Sequence, residues 1–183
     1  MADKKIGILV GSLRRGSFSK KIAHFFIENA PEGNSMELIE IGHLEHYNQD
    51  FDEDGSPASY GPFREKIKSL DGVIFITPEY NRSVPGVLKN ALDVASRPYG
   101  QSCWDGKPAL VVSSSISNVS GFGANHHLRQ SLVFLNMPTL QQPEVYIANV
   151  QNLFDEEGKL TKDDSATFLK DVLTAYATFL EKH

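Results

Sequence analysis

One cysteine and one tryptophan are all that this chain of 183 residues holds of either type, and basic residues are not in excess. The lone Cys103 excludes an intramolecular disulfide and any metal or cluster site built on several cysteines, and it reads as a plain loop thiol. A formal charge of -5 excludes a broad nucleic-acid surface or a polybasic membrane patch, since both need concentrated Lys and Arg. Positive charge is only local, at Arg14-Arg15 and Lys20-Lys21. Long apolar runs are missing too: none approaches the roughly 20 residues that span a bilayer. The chain enters a strand pattern almost at once, so a soluble, cytoplasmic protein with no membrane or nucleic-acid partner is expected.

Metal-ligand patterns are equally thin. Asp50-Phe51-Asp52-Glu53-Asp54-Gly55 opens like a calcium loop, but Gly61 stands where the twelfth-position Glu belongs and Pro57 interrupts the run. His126 and His127 are adjacent and diverge on a helix, while His43 and His46 have no evident third ligand. No metal is expected. A hydrophobic content of 40% suffices for a sizeable core, and residues 1–183 read as one domain.

What is present is a regular alternation of strand and helix patterns. Lys5–Val10 reads as the first strand and Ser17–Asn29 as a helix with Ile22, Ala23, Phe25 and Phe26 towards its buried side. Met36–Ile41 reads as a strand whose interspersed glutamates suit the sheet edge. After a polar connection from Gly42 to Tyr60 come a helical pattern through Phe63, Ile67 and Leu70 and the fully apolar strand Gly72–Ile76. Pro85 suits a helix start; Val87, Leu88, Ala91, Leu92 and Ala95 recur at helical spacing, and Arg97-Pro98 stops them. Ala109–Val112 is the fourth strand, Leu128 to Leu135 mark a helix, Leu140–Ala148 supplies the fifth strand, and Lys162–Glu181 is a final amphipathic helix. Asp155–Lys159 reads as an exposed hairpin or loop.

Five strands alternating with five helices imply an α/β fold, a flavodoxin-like doubly wound parallel sheet of order 2-1-3-4-5 with helices on both faces. Ligands of such sheets bind beyond the carboxyl ends of the strands where the order reverses, here between the first and third. The loop after the first strand, Gly11-Ser12-Leu13-Arg14-Arg15-Gly16-Ser17-Phe18-Ser19-Lys20, has glycines, hydroxyls and paired arginines between a strand and a helix start, which suits a phosphate. An ordinary capped turn is the alternative, because Ser17 and Ser19 cap helices with or without a ligand. Gly11 and Gly16 have the spacing of an NTP-binding loop, but Ser17-Phe18 replace its Lys and Ser/Thr, and the dinucleotide G-x-G-x-x-G pattern is absent.

The loop after the third strand is longer: Pro78-Glu79-Tyr80-Asn81-Arg82-Ser83-Val84-Pro85-Gly86-Val87-Leu88-Lys89-Asn90-Ala91-Leu92-Asp93. Together, the two loops strongly resemble the NADPH-dependent FMN reductase family, especially its quinone and chromate reductase branch. The resemblance implies tightly held FMN and two-electron reduction of quinone-like acceptors by NADPH or NADH, with the flavin itself carrying the electrons and no catalytic side chain. It implies Ser12, Arg14, Ser17, Phe18 and Ser19 around the phosphate, and Pro78, Glu79, Tyr80 and Asn81 along the isoalloxazine and ribityl chain. Ser114, with Ser113 and Ser115 beside it, is implied as a third flavin-contacting loop.

Two departures from the family pattern stand out: Ser19 replaces an Asn common among relatives, and Gly121–His127 lacks an arginine and a tyrosine frequent in the chromate-reducing branch. The second argues against chromate as a substrate. The same family is dimeric or tetrameric, and Ser96–Trp104 offers Arg97, Tyr99 and Trp104 as interface types, unless Trp104 packs within its own subunit. Two other readings remain open on these residues: a flavodoxin-type electron carrier without nicotinamide oxidation, and a ligand-responsive module on the same fold.

Overall fold

A computed structural model describes residues 3–183. Its strands are β1 (Lys4–Val10), β2 (Asn34–Ile39), β3 (Gly72–Pro78), β4 (Ala109–Ser114) and β5 (Val145–Ile147). Its α-helices are α1 (Phe18–Glu28), α2 (Tyr60–Lys68), α3 (Gly86–Ala95), α4 (Phe122–Phe134) and α5 (Asp163–Leu180). All strand pairs are parallel and the order is β2-β1-β3-β4-β5, as the alternation implied. β2 lies at the edge, which explains why it alone carries exposed residues at alternate positions.

The two-residue period of the strands divides the core into two layers. Leu9, Val73, Phe75 and Val111 face one side, where they pack with Phe63, Leu88, Leu92 and Leu128 from α2, α3 and α4. Ile8, Ile74, Ile76 and Val112 face the other, against Ile22 and Phe26 of α1 and Leu169, Val172 and Tyr176 of α5. Each central strand is therefore buried on both faces. The layers hold all five carboxyl strand ends at one rim, and the connecting loops meet there.

β2 lies two residues earlier than the expected Met36–Ile41, β3 and β4 each run two residues further, and three other boundaries differ from the sequence reading more consequentially. β5 has only three residues, because Pro143 within the expected Leu140–Ala148 run has no N–H to give a ladder. The earlier part of that run still touches the sheet: Ala109 N–H donates to Pro138 O at 2.8 Å and Leu140 N–H to Ala109 O at 2.9 Å. α4 begins at Phe122, well before the apolar pattern becomes visible at Leu128. Pro85 caps α3 from outside its first turn rather than occupying it. Asp155–Lys159 does form a hairpin, closed by the Phe154–Leu160 bridge.

Trp104 corrects the interface expectation. It is fully buried among Phe63 and Phe75, and its indole Nε1–H donates to Leu92 O at 2.9 Å. The alternative, packing within its own subunit, is what the fold adopts; Tyr99 nearby remains 91% exposed. Cys103 is also buried in this layer, and burial pushes its thiol pKa upward.

Candidate functional site

The β1–α1 loop is positioned by a close crossing. Gly11 N–H donates to Ile76 O at 2.9 Å, and a Cβ on Gly11 would lie 3.2 Å from Pro78 and 3.3 Å from Pro85. Glycine thus lets the first loop sit directly on the third. The chain then turns, with Ser17 N–H donating to Arg14 O, and enters α1 through Ser17, whose Oγ accepts the Lys20 N–H at 3.2 Å.

Helix α1 carries no acidic residue in its first turn, whereas α5 opens with Asp163 and Asp164. Among the described residues, the N–H groups of Phe18 and Ser19 meet no protein acceptor, and Arg14 and Arg15 pair with no carboxylate. Ser12, Ser17 and Ser19 are nonetheless almost wholly buried. A positive helix end, open N–H donors, buried hydroxyls and an unpaired guanidinium constitute a donor set for an anion.

These groups line a cavity of about 170 Å³. Ser12, Arg14, Ser17, Phe18 and Ser19 enter it from the first loop, Pro78, Glu79 and Tyr80 from the third, and Ser114 and Ser115 from the end of β4. A neighbouring hollow of about 370 Å³ shares Arg14 and Tyr80 and is otherwise mainly apolar, with Leu13, Pro85 and Val87. A larger hollow, about 610 Å³, lies elsewhere, between the C-terminal ends of α3 and α4, and has none of these donors.

Two candidates, Asn81 and Ser113, fall outside the lining. Asn81 and Arg82 occupy the tip of a tight turn in which Tyr80 and Ser83 exchange two backbone hydrogen bonds of 3.0 Å, with φ values of 51° and 64°. Ser113 also points elsewhere, into the core, where its hydroxyl accepts from Asn125 Nδ2 at 3.2 Å. Conversely, Ile116 and Val150 line the cavity without having been singled out. Ile116 lies in a loop and Val150 opens a short 3-10 helix, and as isolated apolar residues they carry no sequence signal of a site.

Glu79 ties the β3 loop to α4. Its Oε2 accepts the Ala124 N–H of α4 at 3.1 Å and its Oε1 accepts from Arg82 Nη1 at 2.7 Å. Burial pushes its pKa up, but the bonds from Ala124, Arg82 and Gly123 outweigh this and hold the carboxyl below its ordinary value. The turn has a second tie to α4, with Ser83 Oγ 3.0 Å from His127 Nδ1.

Strand order and rim define a flavodoxin-like fold, and the donor-lined cavity lies at the switch between β1 and β3, where ligands of such sheets bind. The family model described as NADPH-dependent FMN reductase matches residues 4–152, and the chain belongs to that family. A quinone reductase of Pseudomonas putida is 49% identical over 176 residues, covering 96% of this chain and 94% of the relative. A 2-hydroxy-1,4-benzoquinone reductase of Burkholderia sp is 42% identical over 176 residues, covering 96% of each. The solved structure of FerB, a flavoenzyme NAD(P)H:(acceptor) oxidoreductase from Paracoccus denitrificans, superposes with a TM-score of 0.91 at 37% identity, covering 98% of both chains.

Proposed function

We propose that this chain is an FMN-dependent NAD(P)H oxidoreductase that reduces quinones to hydroquinones by two-electron transfer. The observation that carries the reading is the start of α1: open N–H donors and buried hydroxyls, with no carboxylate in the first turn, facing a cavity built by three loops. That donor set fits the FMN phosphate. Ser12, Ser17 and Ser19 offer hydroxyls to it, Phe18 and Ser19 offer N–H groups, and Arg14 offers charge.

Pro78, Glu79, Tyr80, Ser114 and Ser115 would hold the remainder of the flavin, with Asn81 supporting the turn that carries Tyr80. When bound, FMN would supply the chemistry, namely hydride acceptance from the nicotinamide and two-electron reduction of the acceptor, which with two protons would become the hydroquinone. The protein's own tasks are to bind, orient and leave one face open. The half-exposed Tyr80 and the apolar neighbouring hollow offer a flat aromatic acceptor a surface to stack on.

The reading also takes residues 1–183 as one domain and the protein as a cytoplasmic homodimer or homotetramer. Consistent with a soluble protein, no helix among the described residues is long and apolar enough to cross a membrane. The test is NAD(P)H oxidation by the FMN-loaded protein with and without a benzoquinone. Quinone-dependent oxidation supports the enzyme; bound FMN without any nicotinamide oxidation supports an electron carrier instead.

A further inference from the structure

We propose that Glu79 is a positioning residue: its carboxylate is a strut that fixes the β3 loop to the start of α4 and so holds two walls of the flavin cavity in register. The inference rests on the flavin reading above but concerns this chain's own contacts. One wall is Pro78–Tyr80. The other is the segment from Ser114 to Ile116, whose continuation through Gly121 leads into α4.

Three features assign Glu79 to this work. The N-terminal turn of α4 has no side-chain cap of its own, since Gly121 precedes it, and Glu79 supplies the missing acceptor from 45 residues away. Both carboxylate oxygens are engaged, one on α4 and one on Arg82, and the side chain is only 9% exposed. The fit leaves no slack: a Cβ on Gly123 would stand 2.9 Å from Glu79 Oε2 and 2.9 Å from Arg82 O.

The ion pair to Arg82 extends the strut into the turn. Arg82 holds a left-handed conformation that disfavours a non-glycine residue, and Glu79 is the group that grips its side chain. Glu79 thus orders the turn and caps the helix with one carboxylate. A side chain serving only as a flavin contact would have no need of either bond.

The experiment compares wild type, Glu79→Ala and Glu79→Gln as apo-proteins, reading amide hydrogen exchange at Ala124 and then FMN affinity by titration. Glu79→Ala is expected to speed Ala124 exchange and to weaken FMN, each by about tenfold, the scale of a lost hydrogen bond to a charged group. Glu79→Gln, whose amide oxygen can still accept the Ala124 N–H, is expected to recover most of the exchange protection. Weakened FMN with unchanged Ala124 exchange overturns the strut in favour of direct contact, and faster exchange with unchanged FMN affinity overturns its bearing on the cavity. If Glu79→Ala does not fold, Gly123→Ala enters the same space from the α4 side and is expected to produce both effects; neither effect in that variant overturns the proposal. Wild-type protein that takes up no FMN contradicts the flavin reading alone, while the exchange comparison still decides whether the strut exists.

Discussion

Ser19 Oγ and Ser114 Oγ lie 3.5 Å apart, joining the first turn of α1 to the end of β4 across the floor of the cavity. At that separation the bond is at the limit of useful geometry, so it contributes little to folding. The two hydroxyls therefore retain capacity for a ligand. Ser114→Ala is expected to leave the apo-protein's melting temperature nearly unchanged and to weaken FMN by about 0.5–1.5 kcal/mol, the net value of one neutral hydrogen bond. Calorimetry and flavin titration on the same preparation check both parts.

Arg14 and Arg15 should separate clearly. Arg14 lines both the cradle and the adjoining hollow, whereas Arg15 lines neither. Arg14→Ala is expected to weaken FMN by about 1.5–3 kcal/mol, the range for hydrogen bonds to charged groups, and to weaken riboflavin much less. Arg15→Ala should change either affinity little. A reversed ranking in a flavin titration would show that the loop presents the other guanidinium to the phosphate.

Trp104 makes a prediction about stability rather than assembly. Trp104→Ala should cost about 3–5 kcal/mol in chemical denaturation, as expected for truncating a large buried aromatic. Because the indole is buried within one subunit, replacing it by Phe should leave the oligomeric state by light scattering unchanged. Dissociation of a Phe variant that melts normally would contradict this.

Acid should erase the contribution of Glu79. Its folded pKa is lowered, so the stability it adds is fully present above the ordinary carboxylate value and is lost as pH falls through the depressed folded value. The stability difference between wild type and Glu79→Gln should accordingly be largest near neutrality and shrink on acidification. Unfolding curves across that range test the sign; a gap that widens towards acid would contradict it.

Nicotinamide and quinone should compete for the same space. With Pro78–Tyr80 on one side of the cavity and Ser114–Ser115 at its edge, both substrates must approach the flavin from the open side, in succession. Ping-pong kinetics follow, with parallel double-reciprocal lines and inhibition by excess quinone that is competitive against NAD(P)H. Intersecting lines, with both substrates bound together, would require separate pockets.

Much of the architecture is legible because the central strands are buried on both faces and so form unbroken apolar runs, as Gly72–Ile76 does. β5 was less legible, since Leu140–Ala148 is apolar enough for a strand but Pro143 divides it. The cradle could be read from Gly11 and its serines because phosphate binding uses local backbone and hydroxyl groups. The partnership of Glu79 with Ala124 could not, since nothing local marks two residues brought together only by the packing of α4 beside β3. The position of Asn81 was not legible either, since the left-handed turn sets it at the tip, beside rather than within the cavity lining.

The most direct test is an anaerobic addition of NADPH, then of a benzoquinone, to the FMN-reconstituted protein, with visible flavin absorbance followed throughout. NADPH is expected to bleach the flavin and about one equivalent of quinone to restore it, as two-electron transfer requires. Flavin that is bound but stays oxidised with both NADPH and NADH, or a protein that retains no FMN at all, would contradict this.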